Sequence, residues 1–164
     1  VLDKCTPEEL IQIIETMNPQ NIPGCLSIIV RMGADELRKN FPGLIRAVQR
    51  EGKSVLWISD PVHGNTCMTE NGSKTRDFEK IRAKLQAFFD VHDKMGSHPG
   101  GVHLEMTGED VTECVGGLSD VTEKSLEERY TTYCDPRLNG VQALELAFLI
   151  GERMRLRTGL PSIE

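Results

Sequence analysis

The sequence predicts an α/β fold: the C-terminal part of a (β/α)8 TIM barrel, comprising about three strand–helix units. Three observations carry this. Short apolar, β-branched runs alternate with long amphipathic segments, which implies parallel strands joined by crossover helices. Each run is followed by polar or charged residues, as at Arg31, at Asp60 to Asn65, and around His103 and Glu105. A barrel keeps its active-site residues at those strand ends. Finally, parallel sheets are normally covered on both faces and a full barrel takes roughly 250 residues, so three strands suit a portion of one.

The elements follow in order. Thr6-Pro7-Glu8-Glu9 starts a helix, with Thr6 as cap, Pro7 at the first helical position and Glu9 completing a capping box. Leu10, Ile11, Ile13, Ile14 and Met17 recur at helical spacing, and Asn18-Pro19 ends the helix. Leu26 to Val30 reads as a buried strand. Leu37, Phe41, Leu44, Ile45 and Val48 mark the second helix, where Pro42 predicts a kink or two short pieces. Val55 to Ile58 is the second strand, and a polar loop from Asp60 to Lys74 leads to a third helix carrying Phe78, Ile81, Leu85, Phe88 and Phe89. Gly96 to Gly101 reads as a turn, and Val102 to Met106 as a third strand with alternating faces. A short helix near Ser125 to Tyr130 and a last helix from Val141 to about Arg155 complete the chain.

The 164 residues suit one partial domain spanning 1–164. A net charge of -6 argues against a nucleic-acid partner, which would select a basic face. No apolar run approaches the roughly 18 residues of a membrane helix. The five cysteines are odd in number and form no C-x-x-C, which points to a reducing, cytosol-like compartment. The start lacks both Met and an apolar signal core, so a processed start or a fragment is expected.

Alternation turns His103 and Glu105 toward the barrel interior. An inward carboxylate costs several kcal/mol unless it is paired or coordinates a metal. A metal or catalytic role and a buried salt bridge to a neighbouring Arg both fit. His63 alone is an ordinary loop histidine, and Asp135 alone a turn residue or a charge favouring the next helix dipole. Together His63, Glu105 and Asp135 would supply one nitrogen and two carboxylate sources, a set suited to Mn, Co, Fe or Zn rather than Ca. Arg31 can grip a phosphate or carboxylate, or simply ion-pair. Lys74 and Arg76 read as helix-start cations, which the dipole disfavours; an anionic ligand or plain solvation would account for them.

At these residues the chain resembles a known family. Arg31-Met32-Gly33-Ala34, Ser59 to Thr66 (S-D-P-V-H-G-N-T), Lys74-Thr75-Arg76, Gly100 to Cys114, Cys134 to Asn139 and Leu144 to Phe148 are similar, in order, to segments of type II 3-deoxy-D-arabino-heptulosonate 7-phosphate (DAHP) synthases. The resemblance implies a (β/α)8 barrel transferase that condenses phosphoenolpyruvate with D-erythrose 4-phosphate and releases phosphate, the first step of the shikimate pathway to aromatic amino acids. It implies a divalent metal (Mn, Co or similar) held by His63, Glu105 and Asp135, phosphoenolpyruvate bound by Arg31, and Lys74 in the substrate pocket. It further implies a cytoplasmic enzyme (plastid in a plant) that is a homo-oligomer when complete, with no membrane or nucleic-acid partner.

Two departures are small: Val62 stands where Met is usual, and Asp110 where Asn is usual. A larger one concerns the family's fourth metal ligand, a Cys of the first barrel strand, because none of the five cysteines has a matching context. The isolated segment is therefore expected to be inactive and, with unpaired strand edges, prone to associate. The alternatives are a non-catalytic barrel remnant acting as an interaction module and an amino-DAHP synthase paralogue of secondary metabolism.

Overall fold

A computed structural model of the chain describes residues 1–159; residues 160–164, the end of the expected domain, lie outside the description. It is a mixed α/β structure that divides into two compact units. The helix α3 (Phe78–Met95) runs from the second unit into the first.

The first unit covers Val1–Gly64 and Ala83–Leu104. It contains α1 (Pro7–Met17), β1 (Ser27–Val30), α2 (Ala34–Arg50), β2 (Leu56–Ser59) and β5 (Pro99–Val102). The strands form one parallel sheet in the order β1-β2-β5. The α1 start is as the sequence predicts: the Thr6 hydroxyl accepts from the Glu9 N–H, and the Glu9 carboxylate accepts from the Thr6 N–H.

Pro42 does not divide α2, which is continuous from Ala34 to Arg50. Leu37 and Phe41 before it, and Leu44, Ile45 and Val48 after it, are all buried in the same core. Burial of each such side chain is worth about 1.5–3 kcal/mol. Together they outweigh the roughly 3 kcal/mol that an interior proline costs. Phe41 sits at the centre, stacked on Phe88 at 5.7 Å and edge-on to Trp57 at 5.0 Å.

One face of this sheet meets the helices and the other does not. Ile28 and Val30 are buried, whereas Ile29 and Leu56 are exposed. The first strand, expected as a buried strand, is thus buried on one face in this chain.

The third strand lies earlier than its alternating pattern suggests. β5 is Pro99–Val102, so Gly100 and Gly101 are strand residues, and His103 and Glu105 follow the strand. The reason is close backbone approach. A Cβ on Gly100 would lie 2.3 Å from Leu56 Cδ1 and 2.8 Å from the Trp57 carbonyl oxygen. The register passes from Trp57↔Pro99 to Ile58↔Gly101, leaving Gly100 as a bulge in the ladder.

The second unit covers Asn65–Arg82 and the chain from Glu105 onward. The segment read as a polar loop holds an antiparallel hairpin of β3 (Thr66–Met68) and β4 (Lys74–Arg76). Lys74 and Arg76 are thus strand residues, and the helix-dipole reasoning does not apply to them. A 3-10 helix spans Glu123–Arg129, close to the short helix expected there. The last helix, α4 (Gly140–Arg157), is capped by Asn139, whose side chain accepts from the Gln142 N–H. Phe78, Ile81, Val111, Cys114, Leu126, Leu138 and Leu146 are buried. Leu144 and Phe148, in the apolar stretch of α4, are exposed.

Among the described residues no helix is long and apolar enough to cross a membrane.

Candidate functional site

The C-terminal ends of the three parallel strands carry the polar groups of the first unit. Arg31 follows β1, Asp60 and His63 follow β2, and His103 follows β5. The ladder continues into this region: the Asp60 N–H donates to the Val30 carbonyl at 2.9 Å, and the His103 N–H to the Ser59 carbonyl at 2.7 Å.

Asp60 is the organising group. Its buried carboxylate accepts from Arg31 Nε at 3.0 Å and contacts His63 Nδ1 at 2.9 Å. It also accepts the backbone N–H groups of Val62 and His63, at 3.2 and 3.0 Å. Burial alone would raise its pKa. The hydrogen bonds from the His63 backbone and ring and from Arg31 outweigh burial and hold the carboxyl below its ordinary value. An ionised Asp60 favours the His63 tautomer that carries its proton on Nδ1.

Potential ligand atoms of Asp60, His63 and His103 lie within 4.8 Å of one another, a possible cation cluster. With four hydrogen bonds already on its two oxygens, Asp60 suits the role of orienting group better than that of ligand. The His63 and His103 rings face each other at 5.8 Å, 25° from parallel.

Lys84 secures the same loop from α3. It is almost fully buried, and its Nζ donates to the His63 carbonyl at 3.2 Å. Burial lowers its pKa, partly opposed by the Asp60 charge. Gly64, at φ +78°, makes the turn that follows His63.

The second unit holds the other candidates. Glu105 and Asp135 meet at one guanidinium, that of Arg76. Arg76 Nη1 donates to Glu105 Oε2 at 2.6 Å, and Nη2 lies 3.7 Å from Asp135 Oδ2. The Arg76 side chain is 0% exposed, and also donates to the Pro136 carbonyl and, at 3.2 Å, to Thr66 Oγ1. Glu105 is thus ion-paired with an Arg on a nearby strand, β4. Lys74 Nζ reaches Asp135 Oδ1 at 3.4 Å.

The loop bearing Asp135 is tied down by Glu113. This buried carboxylate accepts the N–H groups of Thr131, Thr132 and Arg137 and is gripped by the Arg137 guanidinium. Burial pushes its pKa up, but the Arg137 and backbone hydrogen bonds prevail and hold it below the ordinary value.

Of the residues singled out from sequence, the first unit holds Arg31 and His63, joined through Asp60. The second holds Lys74, Glu105 and Asp135, joined directly or through Arg76. Sequence reasoning missed two supporting residues, Lys84 and Glu113; it named Asp60 only as a polar strand end and read Arg76 as a helix-start cation. Lys84 left a trace, a cation within the apolar stripe of Ile81, Leu85 and Phe88. Glu113 left none, since nothing periodic marks a buried ion pair.

The model of a family described as the Class-II DAHP synthetase family matches residues 1–151. A phospho-2-dehydro-3-deoxyheptonate aldolase of Streptomyces coelicolor is 50% identical over 150 residues, which make up 92% of this chain and 33% of that protein. The aldolase AroG of Mycolicibacterium smegmatis is 49% identical over 150 residues, 92% of this chain and 32% of that protein. The chain spans about a third of the length of these curated relatives.

Proposed function

Because the chain belongs to the class-II DAHP synthetase family, we propose that it contributes three strand–helix units of a (β/α)8 barrel to a metal-dependent DAHP synthase. That transferase condenses phosphoenolpyruvate with D-erythrose 4-phosphate, releasing phosphate, and so opens the shikimate pathway.

The observation that carries the reading is the edge of the parallel sheet. Arg31, Asp60 with His63, and His103 follow β1, β2 and β5, the edge at which barrel enzymes keep their chemistry. The exposed apolar face of the same sheet, with Ile29 and Leu56, also fits a barrel wall whose interior other strands would fill.

Arg31 binds the anionic groups of phosphoenolpyruvate. Asp60 takes its Nε, which leaves the two terminal nitrogens to fork onto phosphate or carboxylate oxygens. His63, Glu105 and Asp135 are the metal ligands, assigned through the family resemblance. The donor set, one imidazole and two carboxylates, fits a divalent transition ion: His63 has its Nδ1 on a carboxylate, and Glu105 and Asp135 are carboxylates partnered by cations. When bound, the metal supplies Lewis acidity toward the sugar aldehyde. Lys74, beside Asp135, belongs to the substrate pocket. The chain's own contribution is to fix the substrate anion through Arg31 and to keep the ligand side chains oriented.

The test is an assay of phosphoenolpyruvate consumption by the full-length protein with D-erythrose 4-phosphate and Mn2+. Turnover that is lost on chelation and in Glu105→Ala is expected. Turnover and metal content unchanged in Glu105→Ala would overturn the ligand assignment. For Arg31→Ala the expected change is a raised KM for phosphoenolpyruvate; an effect confined to the sugar phosphate would refute its role.

A further inference from the structure

Arg76 is the largest fully buried side chain in the described chain, and it is a charged one. A buried guanidinium is costly unless its hydrogens and its charge are met. Here its charge is met by the carboxylates of Glu105 and Asp135, which the proposed function makes metal ligands. Nη1 also donates to the Pro136 carbonyl, next to Asp135, and Nε to Thr66 Oγ1 across the β3–β4 hairpin, while Nη2 has no hydrogen-bond partner among the described residues and meets only the Asp135 charge, at 3.7 Å.

Two carboxylates converging on one point repel each other. With no cation between them they would spread apart. Arg76 supplies the missing positive charge from inside the protein, and does so with a rigid planar fork. Lys74 adds a second, half-exposed cation on Asp135, so two cations balance two carboxylates within the unit. Each carboxylate has two oxygens, and one can rest on the guanidinium while the group still takes a metal.

We propose that Arg76 is a positioning residue for metal binding: it holds Glu105 and Asp135 together before the cation arrives. This rests on the ligand assignment of the proposed function. The hairpin explains how a buried Arg comes to be there. β4 alternates, so Lys74 and Arg76 share a face while Thr75 turns away and donates to the Glu113 carbonyl at 2.9 Å.

The test is calorimetric titration of the metal-free full-length protein with Mn2+, comparing the wild type with Glu105→Ala, Arg76→Lys and Arg76→Met, each checked for a native thermal transition. The expected result is a loss of affinity of roughly 10- to 100-fold in Arg76→Met, the usual effect of removing a group that orients a ligand. Arg76→Lys should recover part of it, because an ammonium restores the charge but cannot span both carboxylates. If Arg76→Met does not fold, Arg76→Lys decides: wild-type affinity in a folded Arg76→Lys overturns the proposal. Full affinity in Arg76→Met with affinity lost in Glu105→Ala overturns the Arg76 role alone. Full affinity in Glu105→Ala overturns the ligand assignment, and the Arg76 role falls with it.

Discussion

Arg137 donates from both Nε and Nη2 to the buried carboxylate of Glu113, at 3.0 and 2.7 Å. The same carboxylate receives three backbone N–H groups from Thr131, Thr132 and Arg137. One acidic side chain thus closes both ends of the segment that carries Asp135. Such a fork is among the stronger charge-assisted contacts, and removing one partner of a buried pair leaves the other uncompensated.

Glu113→Gln should therefore destabilise the protein by about 3–5 kcal/mol. A pH dependence goes with it. The folded-state pKa of Glu113 is depressed, so its contribution is present above the unfolded value of 4.5 and is lost as pH falls through the lower folded value. Urea midpoints measured from pH 7 down to pH 3 should fall in the wild type and fall less steeply in Glu113→Gln. Parallel curves for the two proteins would show that Glu113 is not the group responsible.

Gly100 gives a sharper steric case. A methyl group there would enter the space of Leu56 Cδ1 and of the Trp57 carbonyl oxygen. The leucine can rotate, but the carbonyl belongs to β2 and cannot move without disturbing the sheet. Gly100→Ala should cost roughly 1–3 kcal/mol, as overpacking commonly does. Gly108, with open space around it, is the control. Equal urea midpoints for Gly100→Ala and Gly108→Ala would mean that the bulge relaxes freely.

The strand–helix order was legible because it rests on local patterning: apolar stripes at helical spacing in α1, α2 and α3, and β-branched runs at β1 and β2. The position of β5 was not. Val102, His103, Leu104, Glu105 and Met106 alternate in polarity, yet the pairing with β2 is set by how closely Gly100 can approach its backbone. The β3–β4 hairpin was hidden for another reason. Strands of three residues, Thr66–Met68 and Lys74–Arg76, are too short to display a period, and the basic pair before Phe78 imitates a helix start. The Arg31 and His63 candidates were readable as residue types at strand ends. Their connection through Asp60 was not, because it exists only once β1 and β2 lie side by side.

That connection makes Asp60→Asn informative. Asparagine keeps one acceptor oxygen for the backbone N–H groups of Val62 and His63. Its amide nitrogen cannot accept from Arg31 Nε or His63 Nδ1. In the full-length protein both the KM for phosphoenolpyruvate and the Mn2+ dissociation constant should rise, each by on the order of 10-fold or more. Kinetics at saturating metal, together with metal titration, separate the two effects. A change in one constant with the other untouched would show that Asp60 serves only Arg31 or only His63.

The cysteines offer a test that does not depend on activity. Cys114 is buried, and burial pushes its thiol up to about 12, with Arg76 pulling weakly the other way. Its Sγ lies 3.4 Å from the Arg137 carbonyl oxygen, which accepts the thiol hydrogen. Cys25, Cys67 and Cys134 are exposed. Because the thiolate is the nucleophile, labelling rate follows both exposure and ionisation. Iodoacetamide at pH 8 should modify the three exposed residues and spare Cys114, which should react only after denaturation. Peptide mass mapping gives the answer site by site. Rapid labelling of Cys114 in the native protein would mean that the segment between Glu113 and Arg137 opens readily. The tight clamp described for the Asp135 loop would then be wrong.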